Sequence, residues 1–311
     1  MRKIQPQISV IVPVRNDPRI DDLLVTLAAQ SGAPAHEVLI ALDGARREPR
    51  IPANLPARLL RLAAKGPYAA RNAAAREAEG EVLLFTDSDC LCPPDWIARA
   101  AREFEDPALA ALQGASVSSR RRRLWRYVQL EYERYVATYA AAGRRPFCNM
   151  RNFAVRSGIV RELPLPDRFP RGGDGMYGRW LEARGIRIRY EPDWAIEHRH
   201  PTLRWREAER AFAEGYYGAL WKAAEGIDLF GLPSTSGPGG RLLEATRGSP
   251  AARRAASALL LPVAALFAAA STVLPEAAGA AAFHRFRRAA HLAGRLAGEA
   301  RHAKSGRPVR F

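Results

Sequence analysis

The sequence feature that most constrains the fold is a short apolar segment that ends in two acids. Residues 81–89 read EVLLFTDSD, so the apolar residues of 82–85 are followed closely by Asp87 and Asp89. An uninterrupted apolar run of this kind is typical of a strand that is buried on both faces of a sheet. Alternate side chains of an extended segment share one side, so both carboxylates can face a pocket beyond the strand's carboxyl end.

Two interpretations of these acids stay open at this point. Mg²⁺ and Mn²⁺ bind few carboxylates and complete their coordination with phosphate oxygens and water, so Asp87 and Asp89 suit a metal–diphosphate site. An Asp after a strand also caps helices and opens turns. The sequence of the neighbouring segments is needed to choose between a metal–diphosphate site and a helix cap or turn.

The segments around this strand alternate between strand and helix patterns. The run ISVIVPV, Ile8–Val14, predicts a central parallel strand, and apolar residues at helical spacing predict a helix over 20–27. Further strands are expected at 38–42, 58–62, 110–117, 147–156, 187–190 and 195–197, and further helices at 68–79, 93–104, 120–142, 174–183 and 202–224. Gly80 is the expected C-cap of the helix over 68–79. This alternation predicts a doubly wound α/β domain.

Composition sets the class of protein and its compartment. The chain of 311 residues carries a net charge of +16, and residues 241–311 hold twelve Lys and Arg against three Asp and Glu. Such charge suits nucleic acid, an anionic membrane face or an acidic ligand. In 120–142 basic residues alternate with aromatics, which favours a packed helix face over RNA binding, and we expect no nucleic-acid partner. Three cysteines and no apolar leader predict a reducing cytoplasm.

The final part of the chain has a different composition. Residues 231–250 are rich in Gly, Pro and Ser and predict a linker between a domain at 1–230 and a basic, partly apolar helical tail at 251–311. Within the tail, 257–274 is uncharged but slightly short of the roughly 20 residues that a spanning helix needs, and Arg residues flank it on both sides. Two interpretations stay open: a helical hairpin over 257–283 on the cytoplasmic leaflet, or an Ala-rich packed soluble helix.

Five segments in chain order resemble the inverting family 2 glycosyltransferases. They are ISVIVPVRN at 8–16, ALDG at 41–44, ARNAAAREAEGEVLLFTDSD at 70–89, CNMRNFAVR at 148–156 and GGDGMYGRWLEARGIRIRYEP at 172–192. A lone Asp-x-Asp is a weak signal, whereas five segments in the family's order are a strong one. The resemblance implies an α/β fold of the GT-A nucleotide-diphospho-sugar transferase type. This fold has a mixed, mostly parallel central sheet flanked by helices, here with a C-terminal helical extension.

The resemblance also assigns residues to the donor and to a divalent metal, Mn²⁺ or Mg²⁺. The donor is a UDP-, GDP- or dTDP-sugar, and the residues that match its site are Pro13, Val14, Asp43, Arg71, Asn72, Asp87 and Arg151. Arg151 and Arg156 are the weaker candidates, and Asp43 can also be a turn former beside Gly44. Asp89 matches the direct metal ligand. His198 and His200 alternate on an extended segment and are candidates to complete the metal shell.

Asp174 resembles the family's catalytic base. An inverting transfer needs a carboxylate that takes the proton of the acceptor hydroxyl while the nucleoside diphosphate departs on the other side. The family usually shows Glu-Asp here, but this chain has Gly173-Asp174 and so lacks the Glu. The structural alternative for Asp174 is a helix N-cap.

These assignments imply a metal-dependent inverting glycosyltransferase of the cytoplasm, peripheral to the cytoplasmic face of the inner membrane. Its acceptor would be a glycan or a lipid-linked molecule of the cell envelope, and an anionic membrane surface is a candidate partner. One alternative is a nucleotidyltransferase, which needs a Gly-rich phosphate loop after the first strand, but residues 14–18 contain no glycine. The other alternative is a protein that binds nucleotide sugars without turnover.

Overall fold

The computed structural model describes residues 7–118, 122–141, 148–200, 204–229 and 238–305. Two compact units divide between His200 and Pro201, and the predicted domain limits at 230 and 250 stay a prediction. The predicted linker contains a helix at Pro238–Ala245. The predicted positions 120, 121, 142, 147, 202, 203 and 231–237 lie outside the described residues.

The first unit alternates strands and helices, as the sequence predicts. Its strands are β1 (Ile8–Val14), β2 (His36–Asp43), β3 (Ala57–Leu62), β4 (Val82–Phe85), β5 (Cys90–Leu91), β6 (Ala111–Ser118), β7 (Phe153–Arg156) and β8 (Ile188–His198). Its helices are α1 (Ile20–Ala28), α2 (Pro67–Glu77), α3 (Trp96–Glu103), α4 (Arg123–Ala141), α5 (Ser157–Glu162) and α6 (Gly173–Ala183).

All eight strands form one sheet in the order β3-β2-β1-β4-β7-β6-β8-β5. The pairs β3–β2, β2–β1, β1–β4 and β6–β8 are parallel, and β7 and β5 pair with their neighbours in the antiparallel direction. The prediction of a mixed, mostly parallel sheet with flanking helices is confirmed. Because β1, β2 and β4 run the same way, their carboxyl ends meet at one edge, where open α/β sheets bind ligands.

The continuous apolar sequence of β1 follows from burial on both of its faces. Val10 and Val12 pack in one core layer, which includes Leu23 and Leu24 of α1. Ile11 points to the opposite layer, where it packs among the alanines of α2. Period-two alternation of the side chains therefore places apolar residues in two cores at once, and the polar Ser9 of β1 is satisfied by Glu37 and Gly80.

Two local predictions are wrong. Helix α2 ends at Glu77 and its C-cap is Ala78, so Gly80 does not cap it. Gly80 is required instead by close packing, since a Cβ there would lie 2.6 Å from the backbone nitrogen of Ser9. The two strands predicted at 187–190 and 195–197 are one strand, β8, whose pairing with β6 is irregular between Gly114 and Ala115.

The second unit is helical over its described residues. It contains α7 (Arg204–Glu225), α8 (Pro238–Ala245), α9 (Pro250–Val273) and α10 (Glu276–Ser305), and α10 packs along both α7 and α9. A Cβ at Gly294 of α10 would lie 1.9 Å from the carbonyl oxygen of Phe212 in α7, so glycine lets the two backbones approach. The predicted C-terminal helical extension is confirmed.

Candidate active site

Strand pairing brings a histidine to the acids that follow β4. The short strand β5 begins directly after Asp89 and pairs antiparallel with the end of β8, where Cys90 lies opposite His198. The backbone N–H of Arg199 donates to the carbonyl oxygen of Asp89 at 2.8 Å, which fixes the register. The carboxyl ends of β4 and β8 therefore converge, although 109 residues separate Asp89 from His198.

Asp89 is the centre of this convergence. Its Oδ2 lies 3.2 Å from Nε2 of the buried His198 and 3.4 Å from Nη2 of Arg19. Arg19 is held in turn by Asp17, whose oxygens accept from Nε at 2.9 Å and from Nη2 at 2.7 Å, and it also donates to the carbonyl of Arg199. The structure therefore brings the predicted pair Asp89 and His198 together and adds a cation that the sequence did not indicate.

The hydrogen bonds of His198 assign its tautomer. Nη1 of Arg151 lies 3.0 Å from Nδ1 of His198. A guanidinium only donates, so Nδ1 accepts and the ring hydrogen of the neutral imidazole lies on Nε2, facing Asp89. Arg151 is itself oriented by Oδ1 of Asn149, which accepts from its Nε at 3.1 Å, and it stacks 5.6 Å from the ring centre of Tyr132.

The residues around Asp89 fit a divalent cation in part. The 3.2 Å between Asp89 Oδ2 and His198 Nε2 is close to the spacing of adjacent ligands on an octahedral ion with bonds of about 2.1 Å. His198 can ligate only in its other tautomer, with the hydrogen on Nδ1 and Arg151 turned away. Within the described ranges, no three His, Cys, Asp or Glu side chains are grouped to hold a metal. An ion here would need diphosphate oxygens and water to complete its coordination.

His200 lies next to this pair in a different arrangement from the one predicted. Strand β8 ends at His198, so the alternation that would align both imidazoles does not continue. The rings of His198 and His200 meet edge to face, with centres 4.2 Å apart and planes at 82°. His200 thus packs against His198, and metal binding by His200 stays a prediction.

Asp87 and Arg71 form a second charged pair on the same edge. Arg71 is buried, with only 4% of its side chain exposed, and its Nη2 donates to Oδ1 of Asp87, which keeps 32% exposure. A buried guanidinium requires a compensating charge, and so Asp87 fixes Arg71 in place. The Arg71 guanidinium also lies 5.7 Å from the ring centre of Tyr68. Sequence alone would predict that Arg71 is an exposed surface cation, whereas in the structure its side chain is buried.

Asp174 reaches the same edge from the first turn of α6. Its Oδ1 accepts from the hydroxyl of Tyr68 at 3.2 Å and from the backbone N–H of Gly175 at 3.0 Å. The N-cap of α6 is Gly172, which has a φ of 81°, so the alternative of Asp174 as N-cap is wrong. A Cβ at Gly173 would lie 2.7 Å from the Tyr68 ring. Tyr68 therefore occupies the space that a longer side chain beside Asp174 would need.

The environment of Asp174 favours its protonated form more than water does. Burial raises the pKa of the Asp174 carboxyl above its ordinary value. The Gly175 amide and the positive charges of Arg71 and Arg151 act in the opposite direction without cancelling this effect. A carboxylate with a raised pKa is a stronger base near neutral pH.

Contacts between side chains form two series at the site. One series runs Asp89, His198, Arg151, and the other runs Asp87, Arg71, Tyr68, Asp174. Both guanidiniums act electrostatically on Asp174. The predicted metal-binding acid and the predicted base therefore belong to two contact series on one edge of the sheet, which together are called the network, and Arg151 of the first series acts electrostatically on Asp174 of the second.

The side chains of Asp43, Asn72 and Arg156 make contacts outside the network around Asp89 and Asp174. Oδ1 of Asp43 accepts from the backbone N–H groups of Lys65 at 2.7 Å and Gly66 at 3.0 Å, so it anchors the turn before α2. The amide of Asn72 binds both the N–H and the carbonyl of Leu165. Nucleotide binding by both residues stays a prediction, as it does for Pro13 and Val14, which lie buried at the end of β1. Arg156 as a site residue is wrong, because it pairs with Val82, at the opposite end of β4 from Asp87.

Sequence reasoning missed two residues of the network, Arg19 and Tyr68. Both stand at the start of a helix that follows a parallel strand, Arg19 as N-cap of α1 and Tyr68 in the first turn of α2. Their position after strand ends is the signal that could have found them, since these turns line the ligand edge of such sheets.

The fold defines the class of protein. It is similar to that of the mannosyltransferase PcManGT from Pyrobaculum calidifontis in complex with GDP-Man and Mn²⁺, at a TM-score of 0.54 and 22% identity over 97% of this chain and 88% of that one. It is also similar to S. aureus TarS 1-349 in complex with UDP-GlcNAc, at a TM-score of 0.52 and 17% identity over 98% and 93%. At these identities the likeness shows the fold, which is that of GT-A glycosyltransferases.

Sequence comparison gives the family. The profile described as glycosyl transferase family 2 matches residues 9–163. An N-acetylglucosaminyltransferase from Bradyrhizobium elkanii is 30% identical over 132 residues, which are 39% of this chain and 72% of that protein. Another, from Mesorhizobium japonicum, is 30% identical over 149 residues, but the chain spans only 33% of its length. This chain belongs to glycosyl transferase family 2.

Proposed function

We propose that this chain transfers a sugar from a nucleotide-diphospho-sugar to an acceptor hydroxyl with inversion, assisted by Mn²⁺ or Mg²⁺. The observation that carries the proposal is that the contact series ending in Asp89 and the contact series ending in Asp174 lie on one edge of the sheet, with Arg151 of the first acting electrostatically on Asp174. The mannosyltransferase structure in complex with GDP-Man and Mn²⁺ and the TarS structure in complex with UDP-GlcNAc support a nucleotide sugar as donor.

Asp174 is placed to act as the general base. Within the described residues its hydrogen bonds all go to Oδ1, so Oδ2 remains to accept the proton of the acceptor hydroxyl. The acceptor oxygen then forms a bond to the anomeric carbon while the bond from that carbon to the diphosphate oxygen breaks on the opposite face. Tyr68 and the Gly175 amide keep the carboxylate in one orientation for this step.

The other residues of the network hold the leaving group. A divalent cation bound at Asp89, with His198 in its second tautomer, would neutralise the charge that grows on the departing diphosphate. Arg19 and Arg71 place two guanidiniums on the same edge, one beside Asp89 and one beside Asp87. Guanidiniums suit phosphate oxygens in geometry and charge, so these side chains bind and orient the diphosphate.

The acceptor, compartment and domain limits belong to the same proposal. We place the donor site in residues 1–230 and assign a glycan or lipid-linked acceptor to an enzyme of the cytoplasmic face of the inner membrane. The basic composition of residues 241–311 supports an acceptor close to an anionic surface. The chain spans only 33% of the length of the Mesorhizobium japonicum relative, so the acceptor of that protein is not transferred to this chain.

Release of nucleoside diphosphate tests this function. The full chain is incubated with UDP-, GDP- and dTDP-sugars, with Mn²⁺ or with chelator, and the free nucleoside diphosphate is measured. We expect one donor to be consumed in a metal-dependent reaction, and NMR of the product to show the inverted anomeric configuration. Pyrophosphate release from nucleoside triphosphates would identify a nucleotidyltransferase, and donor binding without release would identify a non-catalytic binding protein.

A further inference from the structure

Helix α9 has its large apolar residues on the outside of the second unit. Its buried residues are Ser257, Ala264 and Ser271, which recur every seventh position and form one face. Leu259, Leu266 and Val273 are 73%, 72% and 81% exposed. The buried face packs against α10, where the hydroxyl of Ser257 donates a hydrogen bond to the carbonyl oxygen of Ala293 at 2.8 Å.

This arrangement is the reverse of an ordinary surface helix. A helix on a water-soluble domain turns its apolar stripe to the core and its polar residues to solvent. In α9 small and hydroxyl-bearing residues face the neighbouring helix, which is how helices pack when their surroundings are apolar. By length and composition alone α9 could also cross a membrane, and only 22% of its most apolar 18 residues are buried inside the protein, unlike the core helix of a soluble domain. A contiguous exposed apolar face of this kind marks an interaction surface.

We propose that the outer face of α9 lies on an anionic lipid bilayer. Exposed arginines lie on the same two helices: Arg254 near the start of α9, and Arg285 and Arg288 on the adjacent helix α10. The guanidinium of Arg285 lies 5.9 Å from the ring centre of Phe267, so one of these cations lies directly beside α9. Apolar side chains flanked by cations in this way are typical of a helix lying in the lipid headgroup region.

The charges also favour a position of α9 in the lipid headgroup region over a transmembrane span and over contact with a second copy of the chain. A simple span would carry its positive charge mainly on the cytoplasmic side, whereas Arg254 and Arg285 lie on either side of the apolar segment in sequence. A second copy of the chain packed about a two-fold axis would set the same arginine-bordered patch against itself. Phosphate headgroups, in contrast, are complementary to these guanidiniums.

Vesicle flotation with the full chain tests the proposal. Phosphatidylcholine vesicles with and without phosphatidylglycerol are the probes, and the bound fraction is measured at low and high salt. We expect the chain to float with the anionic vesicles, and Leu259→Glu with Leu266→Glu to lower the partition coefficient by about tenfold or more. Arg254→Glu with Arg288→Glu should remove the preference for phosphatidylglycerol, and high salt should weaken it in the parent chain.

Matched controls separate this result from misfolding. Val25 of α1 is 61% exposed in the first unit, so Val25→Glu changes an apolar surface residue of similar exposure and should leave flotation unchanged. All variants must keep the parent's circular dichroism and thermal transition. The proposal is overturned if the Leu259 and Leu266 substitutions leave flotation unchanged, or if they abolish dimers seen by light scattering in a chain that does not float. It does not depend on the proposed activity, which soluble donor assays measure separately.

Discussion

The two compact units treat apolar side chains in opposite ways. In the first unit every residue of β1 is buried and the polar groups collect at the strand ends, where each predicted acid meets a defined partner. In the second unit α9 buries two serines and exposes Leu259, Leu261 and Leu266. The first pattern is that of a domain folded in water around a chemical site. The second is that of a surface completed by something outside the chain.

The two units also differ in how far their ion pairs are exposed to solvent. On the catalytic edge, ion pairs remain partly exposed, as Asp87 does beside Arg71. In the second unit charge is buried between helices: Glu207 is fully buried and lies 3.7 Å from Arg287, which also donates to Glu214 at 2.8 Å. Charges of the first kind are available to a ligand, and those of the second kind hold helices in register. Substitutions in the first unit should therefore change chemistry, and substitutions in the second unit should change stability or surface binding.

The largest effect is expected at Asp89. Asp89→Asn removes the carboxylate that faces the cation site, and we expect metal-dependent release of nucleoside diphosphate to fall by about 10³-fold. Asp95 is exposed at the start of α3 and its side chain makes no capping hydrogen bond, so Asp95→Asn is the matched control. Equal activity of the Asp89 and Asp95 variants would contradict the proposal that Asp89 binds the catalytic metal ion.

A smaller effect is expected at His198. His198→Gln should weaken the activating affinity for Mn²⁺ by about 10- to 100-fold and change turnover at saturating Mn²⁺ much less. A metal titration of donor turnover measures both quantities. If His198 were only a packing partner of Asp89, turnover would fall without a shift in the Mn²⁺ dependence.

The second unit supplies a stability prediction. Burial lowers the pKa of His291 to about 4 from an ordinary value of 6.5. As pH falls below about 6.5 the unfolded chain takes up this proton before the folded chain does, so stability decreases until about pH 4. We expect a loss of about 3 kcal/mol across this window, measured by denaturant unfolding. His291→Gln should flatten this part of the pH profile, whereas substitution of the exposed His302 should not.

The smallest effect is expected at Arg19. Its guanidinium lies 3.4 Å from Asp89 and opposes a second cation there, so Arg19→Gln should tighten Mn²⁺ binding to the donor-free protein by several-fold. Electron paramagnetic resonance of free Mn²⁺ measures this affinity without turnover. Arg47, a partly exposed arginine paired with Asp21, gives the control Arg47→Gln. A weaker affinity in Arg19→Gln would mean that Arg19 organises Asp89 instead of competing at it.

Much of the catalytic edge could be predicted because local pattern determined it. The apolar run before Asp87 requires a buried strand, and the parallel direction of the neighbouring strands then places its carboxyl end at the ligand edge. The resemblance added Asp174 and His198, whose positions depend on strand pairing far along the chain.

Other features could not be predicted because they depend on tertiary packing. The need for glycine at 80 and at 173 comes from Ser9 and Tyr68, which are distant in sequence. Asn72 is engaged by Leu165, and no local pattern shows this. The inversion of α9 also escapes the sequence, since its composition fits either a packed helix or a lipid-facing one until the neighbouring helix selects the buried face.

The central claim is that Asp174 takes the acceptor proton in the network that holds the donor. Calorimetry of donor binding and release of nucleoside diphosphate, measured on the parent chain and on Asp174→Asn, test it most directly. We predict donor affinity within about threefold of the parent and turnover reduced by about 10²- to 10⁴-fold. Unchanged turnover, or loss of donor binding in proportion to turnover, would contradict the claim.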